Sequence, residues 1–203
     1  MISARELTII WANGDTPWYW CWIDDFPGAR YISLSNSCLY YCFWIFFPTC
    51  YSNIDCLRIT KRFPEVAKLR FVWWFEIGGK IDTSLLSTMT TYVAFLVFKP
   101  TNNFFGFDNN PVEVTVGLDG GNVQNRTVYF DRRQQNIVPG DNPGLFPKER
   151  RDGWLESELG EFFTGSDEEG KLSMTILEIN CSNGKHGLVV QGIEIRPKKR
   201  VNK

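Results

Sequence analysis

The sequence contains very little histidine and no surplus of either charge. His186 is the only histidine, which excludes metal sites built on two histidines and leaves one residue for any histidine-dependent catalytic triad. Lys and Arg total 22 against 23 Asp and Glu, so the formal net charge is −1. Proteins that bind nucleic acid or anionic membranes usually carry a basic surplus. We therefore expect neither nucleic acid nor a membrane as a partner.

The sequence also lacks a secretory signal and a long hydrophobic run. Residues 1–6 are polar, and the most apolar stretch runs only from Cys38 to Phe47 before Pro48 interrupts it. A membrane-spanning helix needs about 20 apolar residues. We therefore expect a cytoplasmic and nuclear protein, in which disulfides do not usually form.

Helical periodicity is scarce, and short β-rich runs separated by Gly, Asp and Asn dominate. Val112, Val114 and Val116 alternate with polar residues, as in a half-buried strand. Other runs predict strands at 7–11, 71–77, 92–98, 154–163, 172–179 and 188–195. Only Phe63–Leu69 suggests a short helical turn. The pattern predicts one all-β domain over residues 1–203, an antiparallel β-sandwich of jelly-roll type.

Several blocks resemble, in order and spacing, the plant phloem protein 2 or Nictaba-like lectin family. They are Ser3–Leu7, Ile10–Trp11, Tyr19–Trp22, Trp74–Lys80, Thr91–Lys99, Asp152–Glu156, Leu159–Phe163 and Gly187–Pro197. The resemblance covers residues 1–30 and 63–203. It implies a β-sandwich lectin that binds N-acetylglucosamine oligomers or N-glycan cores on nucleocytoplasmic glycoproteins. Many members follow an F-box; because this sequence begins at the lectin domain, we expect either a free-standing member without an F-box or a chain whose N-terminus is truncated by the gene model.

The resemblance also implies a set of sugar-binding residues. Two tryptophans that the family links to sugar binding map to Trp11 and Trp20. A glutamate in the later blocks, Glu156 or Glu161, is the implied acceptor for sugar hydroxyls. Aromatic rings stack on the apolar face of a sugar while polar groups bind its rim. Because single shallow sites bind weakly, a homodimer that adds avidity is a further expectation.

The alternation around these glutamates supports an acidic strand face. Trp154, Glu156 and Glu158 fall on one side of the predicted strand, and Leu155, Ser157 and Leu159 fall on the other. This face suits sugar binding, although a solvated outer face is the blander interpretation for Glu158.

No feature of the sequence favours catalysis. Glu156 and Glu161 are weak candidates for a glycosidase pair because the segment that follows is itself acidic. Nucleophile elbows, phosphate loops and metal-ligand spacings are missing, and His186 lies in a predicted hairpin turn. We therefore expect no enzyme, no metal and no cofactor. The alternative function is a protein-interaction adaptor or a phloem structural component without a sugar site.

Residues 31–62 are rich in aromatic residues and cysteine, and they form an insertion between the two parts of the chain that resemble the family. Their cysteines are Cys38, Cys42, Cys50 and Cys56, whose spacings do not form the short pairs of a zinc site. An aromatic lobe that extends the lectin is a second interpretation. The third is a translated intron: Arg30–Ile32 can be encoded by AGGTATATN, which contains a splice-donor pattern, and Arg62 can supply the terminal AG. We hypothesise the intron.

Overall fold

The structure is a computed structural model that describes residues 2–10, 12, 19–24, 65–108, 110–118, 121–136, 145–166, 170–179 and 183–198. Within these ranges the regular elements are strands and short 3₁₀ turns, and no helix is long and apolar enough to cross a membrane. The strands are β1 (Ile2–Ser3), β2 (Thr8–Ile9), β3 (Trp20–Asp24), β4 (Glu65–Leu69), β5 (Phe75–Asp82), β6 (Thr90–Phe105), β7 (Val112–Leu118), β8 (Val123–Val128), β9 (Lys148–Glu149), β10 (Leu155–Thr164), β11 (Lys171–Glu178) and β12 (His186–Pro197).

The strands form two antiparallel sheets. The first sheet has seven strands in the order β3-β4-β12-β6-β10-β9, with β1 also paired to β12. The second sheet has five strands in the order β2-β5-β11-β7-β8. Each strand turns alternate side chains toward the opposite sheet, so apolar residues at every second position form a shared core. The predicted antiparallel β-sandwich is confirmed.

Aromatic side chains fill much of this core. The Phe75 ring lies 5.1 Å from the Phe107 ring and 6.0 Å from the Phe130 ring, and all three side chains are buried. The Phe98 ring lies 4.9 Å from the Phe130 ring, so the group joins both sheets. Much of the aromatic content of the described chain therefore stabilises the fold and is not available to a ligand.

The helical turn predicted at Phe63–Leu69 is wrong over residues 65–69, which form β4. The segment pairs with both β3 and β12, and its Ala67 and Leu69 face the core. Good helix formers such as Glu and Ala gave a weak helical signal, and sheet pairing on both sides overrides it.

The predicted insertion at 31–62 lies outside the described residues. Its flanking strands are nevertheless informative, because β3 and β4 are antiparallel neighbours with Asp24 opposite Glu65. Antiparallel neighbours can be joined by a very short hairpin. The pairing of β3 with β4 therefore does not require a long connection between residues 24 and 65.

Antiparallel pairing defines two ends of the sandwich. One end holds the start of β5, the end of β11 and the start of β12, and the opposite end holds the end of β10. His186 lies at the first end, where it begins β12 and stacks on Phe105 with the ring centroids 5.4 Å apart. The prediction that His186 lies in a hairpin turn is wrong, because the residue pairs with β6 as the first residue of β12 and is half-buried.

Candidate functional site

The two predicted tryptophans do not form a visible platform. Trp11 lies outside the described residues. The Trp20 side chain is 4% exposed and belongs to the core, with its ring 6.1 Å from that of Phe75. Trp20 and Trp22, two positions apart, share the inward face of β3. Trp20 therefore presents no open ring face to a sugar.

Glu156 and Glu161 both lie on β10 and on the outer side of the first sheet. Leu159 and Phe162 point into the core, and a register shift between Glu158 and Gly160 keeps Glu161 on the outside. β3 and β10 are separated by β4, β12 and β6, so Trp20 lies about 19 Å away across four strand spacings. The structure does not bring Trp20 together with the glutamates.

Glu156 is held in an ion-pair network. Its carboxylate accepts a hydrogen bond from Arg196 at 2.9 Å and another from Arg150 at 3.3 Å. Arg150 also donates to Glu194 at 2.6 Å. Burial alone would lower the pKa of Arg150, but the hydrogen bond to Glu194 and the nearby charges of Asp152, Glu194 and Glu156 together outweigh it, so the pKa lies above its usual value. The network links the turn before β10 to β12, so Glu156 has a structural role here.

The predicted faces of β10 are confirmed around this network. Leu155, Ser157 and Leu159 are buried toward the core, whereas Glu156 and Glu158 are half-buried on the outer side. Glu158 pairs with Arg126 of β8 at 2.7 Å. Trp154 shares the outer side but is buried in a small separate apolar cluster with Val66, Val97 and Val189. This face therefore offers no exposed tryptophan.

Glu161 lies in a different setting, which we call the β10 cleft. This cavity of about 390 Å³ opens between the end of β10 and the β7–β8 hairpin. Phe163, two positions along the strand, lines the same cleft and is 50% exposed. The Glu161 carboxylate accepts a hydrogen bond from Lys198 at 2.6 Å. The residues that line the cleft thus include one with an exposed aromatic ring and one with a carboxylate.

The hairpin is fixed against β10 by Gln124 and Gly160. The backbone N–H of Glu161 donates to Oε1 of Gln124 at 2.9 Å. A Cβ atom on Gly160 would lie 2.7 Å from the same oxygen, so a larger residue there would displace the Gln124 side chain from this hydrogen bond. Gln124 is exposed and lines the cleft, where its amide offers both donors and an acceptor.

Sequence reasoning identified Glu161 but missed Phe163 and Gln124. A signal for Phe163 was present, because Phe162 and Phe163 are adjacent on a strand and cannot both face the core. Nothing in the sequence pointed to Gln124 as a site residue, because it reaches the cleft only through the packing of the β7–β8 hairpin against β10. Among the described residues no group of three or more His, Cys, Asp or Glu side chains could hold a metal ion.

The chain belongs to the Phloem protein 2 family. The sequence pattern that defines this family matches residues 31–197. This match includes the segment 31–62. Among Arabidopsis thaliana proteins, the chain is 38% identical over 205 residues to "F-box protein PP2-B10", covering 98% of this chain and 60% of that protein. It is also 38% identical over 199 residues to "Putative F-box protein PP2-B12", covering 98% and 61%. The chain therefore spans about 60% of the length of these relatives, and the expectation about an F-box stays a prediction.

The solved structures give a more distant likeness. TmCBM61, determined in complex with β-1,4-galactotriose, matches with a TM-score of 0.39 and 9% identity, covering 97% of this chain and 92% of that chain. A family GH115 4-O-methyl-α-glucuronidase matches with a TM-score of 0.36 and 9% identity, covering 67% and 15%.

Proposed function

We propose that the chain is a carbohydrate-binding lectin module whose binding site is the β10 cleft. The observation that carries the proposal is that Glu161 and the exposed Phe163, two positions apart on β10, both line one open cavity. Membership in the Phloem protein 2 family supports a sugar-binding role in general. The ligand class in this proposal is N-acetylglucosamine oligomers or N-glycan cores.

Each part of the cleft matches a part of such a sugar. The Phe163 ring stacks on the apolar C–H face of the pyranose, and the Glu161 carboxylate accepts hydrogen bonds from its hydroxyl groups. The side-chain amide of Gln124 can pair with the acetamido group, which also carries one donor and one acceptor. The cavity volume of about 390 Å³ lies in the range of ligand pockets. The cleft requires no catalytic group, metal or cofactor to perform this role.

Titration calorimetry with N,N′,N″-triacetylchitotriose tests the proposal. We expect Phe163→Ala and Glu161→Gln each to weaken binding about tenfold, because each removes one recognition element worth about 1 kcal/mol or more. Glu113→Gln is the matched control, since Glu113 is an exposed glutamate on β7 of the second sheet. Unchanged affinity in both cleft variants would reject the cleft as the binding site.

The cellular setting is part of the proposal. The module would read glycans on glycoproteins of the cytoplasm and nucleus, and a homodimer would raise its avidity. A protein-interaction adaptor or phloem structural component is the second candidate, favoured by the F-box in the names of the relatives. Competition separates the two: free chitin oligomers displace partners from a lectin and leave the partners of a glycan-independent adaptor in place.

A further inference from the structure

The end of the sandwich opposite the β10 cleft carries exposed aromatic side chains. Trp73 and Trp74 are 60% and 47% exposed, and Phe71 and Tyr19 are also exposed. Tryptophan is highly buried on average in folded proteins, so two exposed neighbours require an explanation. Residues 71–74, here called the aromatic loop, precede β5, although their apolar run predicts that they belong to the strand.

Local contacts hold the aromatic loop in place. The rings of Phe71 and Trp73 pack edge to face with centroids 5.4 Å apart. The backbone N–H groups of Arg70 and Phe71 donate to the carbonyl of Tyr19, at 2.8 and 3.2 Å. The loop is therefore tied to the chain that leads into β3, and its rings do not depend on a ligand for their arrangement.

A buried ion pair lies beneath the loop. Lys185 and Glu178 form a salt bridge in which neither side chain has appreciable solvent exposure, and the Lys185 ammonium donates to the Trp73 carbonyl at 2.9 Å. Val72 and Lys185 exchange two backbone hydrogen bonds of 2.9 and 2.7 Å. Desolvation offsets most of the attraction in a buried ion pair, so such a pair adds little net stability. Its definite effect here is geometric, because it fixes the Trp73 backbone.

The loop also presents a polar group beside its rings. The indole N–H of Trp74 donates to the Glu76 carboxylate at 3.1 Å. A carboxylate accepts up to about four hydrogen bonds, so Glu76 retains capacity for sugar hydroxyls. Val72, the only aliphatic side chain of the loop, is buried. Flat rings beside a carboxylate match the two-sided chemistry of a sugar better than the aliphatic surface of a protein partner.

We infer that the aromatic loop is a second carbohydrate-binding surface, at which Trp73 and Trp74 stack on a β-linked pyranose oligomer and Glu76 accepts its hydroxyl groups. The surface and the β10 cleft lie at opposite ends of the sandwich. One domain would then bind two oligosaccharides and could bridge two glycans without a second protein subunit. The inference does not depend on the proposed cleft, because none of its residues lines that cleft.

Native mass spectrometry of the full chain with N,N′,N″-triacetylchitotriose counts the bound sugars. We expect two sugars on the wild type, one on the double variant Trp73→Ala/Trp74→Ala and one on Glu161→Gln/Phe163→Ala. The variant Trp74→Phe keeps a ring and should retain affinity within about threefold. Thermal unfolding of each variant verifies that the fold is intact.

The outcomes separate this inference from the proposed function. If the double tryptophan variant binds as many sugars as the wild type, the inference is overturned, even where the cleft variant loses one. If only the tryptophan variant loses a sugar, the aromatic loop is supported and the cleft is rejected. If the tryptophan variant loses self-association and keeps its sugars, the loop is a subunit interface and the inference is also overturned.

Discussion

The Lys185 ammonium donates a hydrogen bond to the backbone carbonyl of Trp73 from a position with no solvent exposure. The bond joins the residue just before β12 to the loop before β5. Strands β12 and β5 belong to different sheets. Glu178, at the end of β11, balances the charge. Gly184 completes the arrangement, because a Cβ atom there would overlap the Phe71 ring. Three separate segments thus cooperate to position one aromatic surface.

This arrangement predicts an asymmetric response to mutation. Lys185→Met should lower the free energy of unfolding by about 3–5 kcal/mol, because it leaves the Glu178 carboxylate buried without its partner. The double variant Lys185→Met/Glu178→Leu should recover most of this loss, since no buried charge remains. Urea unfolding measures both. A loss below about 1 kcal/mol in the single variant would contradict the role given to the pair.

Glu156 should behave as a structural residue and not as a sugar acceptor. Glu156→Gln keeps the shape of the side chain but weakens its hydrogen bonds with Arg150 and Arg196, so we expect a loss of about 1–2 kcal/mol in unfolding free energy. Chitotriose affinity should not change. A variant with normal stability and weakened sugar binding would return Glu156 to the binding site that the family resemblance implied.

Asp131 makes stability depend on acid pH. Burial alone would raise the pKa of Asp131, but hydrogen bonds from the Arg133 side chain and backbone, a hydrogen bond with Asp108 and the Arg133 charge together outweigh it, so the pKa lies below its usual value. A carboxyl whose folded pKa is lowered contributes its full stabilisation above the unfolded pKa of about 3.9 and loses it as the pH falls through the folded value. Wild-type stability should therefore drop below about pH 4.

The variant Asp131→Asn isolates this contribution. It should be less stable than the wild type at neutral pH, and its unfolding free energy should fall less steeply between about pH 4 and pH 2. Urea unfolding at a series of pH values measures the slopes. Identical slopes for the two proteins in the acid range would show that Asp131 does not contribute.

A chain without residues 31–62 should fold. β3 and β4 are paired neighbours, and residues 25–30 with 63–64 remain to join Asp24 to Glu65. Removing the aromatic, apolar stretch around Cys42–Phe47 should also raise solubility. Expression of both chains and measurement of the soluble fraction test this expectation, and a shortened chain that is insoluble would contradict it. Transcript sequencing across the junction tests the intron hypothesis directly.

The sequence predicted the fold class better than the site. Period-two patterns such as Val112–Val116 identified strands that bury one face and expose the other. These strands build the two sheets. The same reasoning extended β5 backward over Trp73 and Trp74, because an apolar run does not show where pairing stops. Val72 pairs instead with Lys185, which lies far away in sequence, so no local pattern could reveal this contact.

The candidate site shows the same limit. Glu161 was identified by resemblance, and the register shift in β10 keeps it on the outer side. Its neighbour Gln124 comes from another sheet, and only the completed sandwich brings the two together. The resemblance implied that Trp20 binds sugar, yet Trp20 and Trp22, two positions apart on β3, both turn toward the core. Spacing predicts a shared face, but packing decides which face is buried.

Chemical-shift mapping with N,N′,N″-triacetylchitotriose tests the central claim, the β10 cleft as a sugar site, most directly. Amide resonances of an isotope-labelled full chain would be followed during the titration. The account predicts saturable shifts of the Glu161 backbone amide and the Gln124 side-chain amide, which are hydrogen-bonded to each other at the cleft. Saturable shifts that leave both groups unchanged, or no shifts anywhere in the chain, would contradict it.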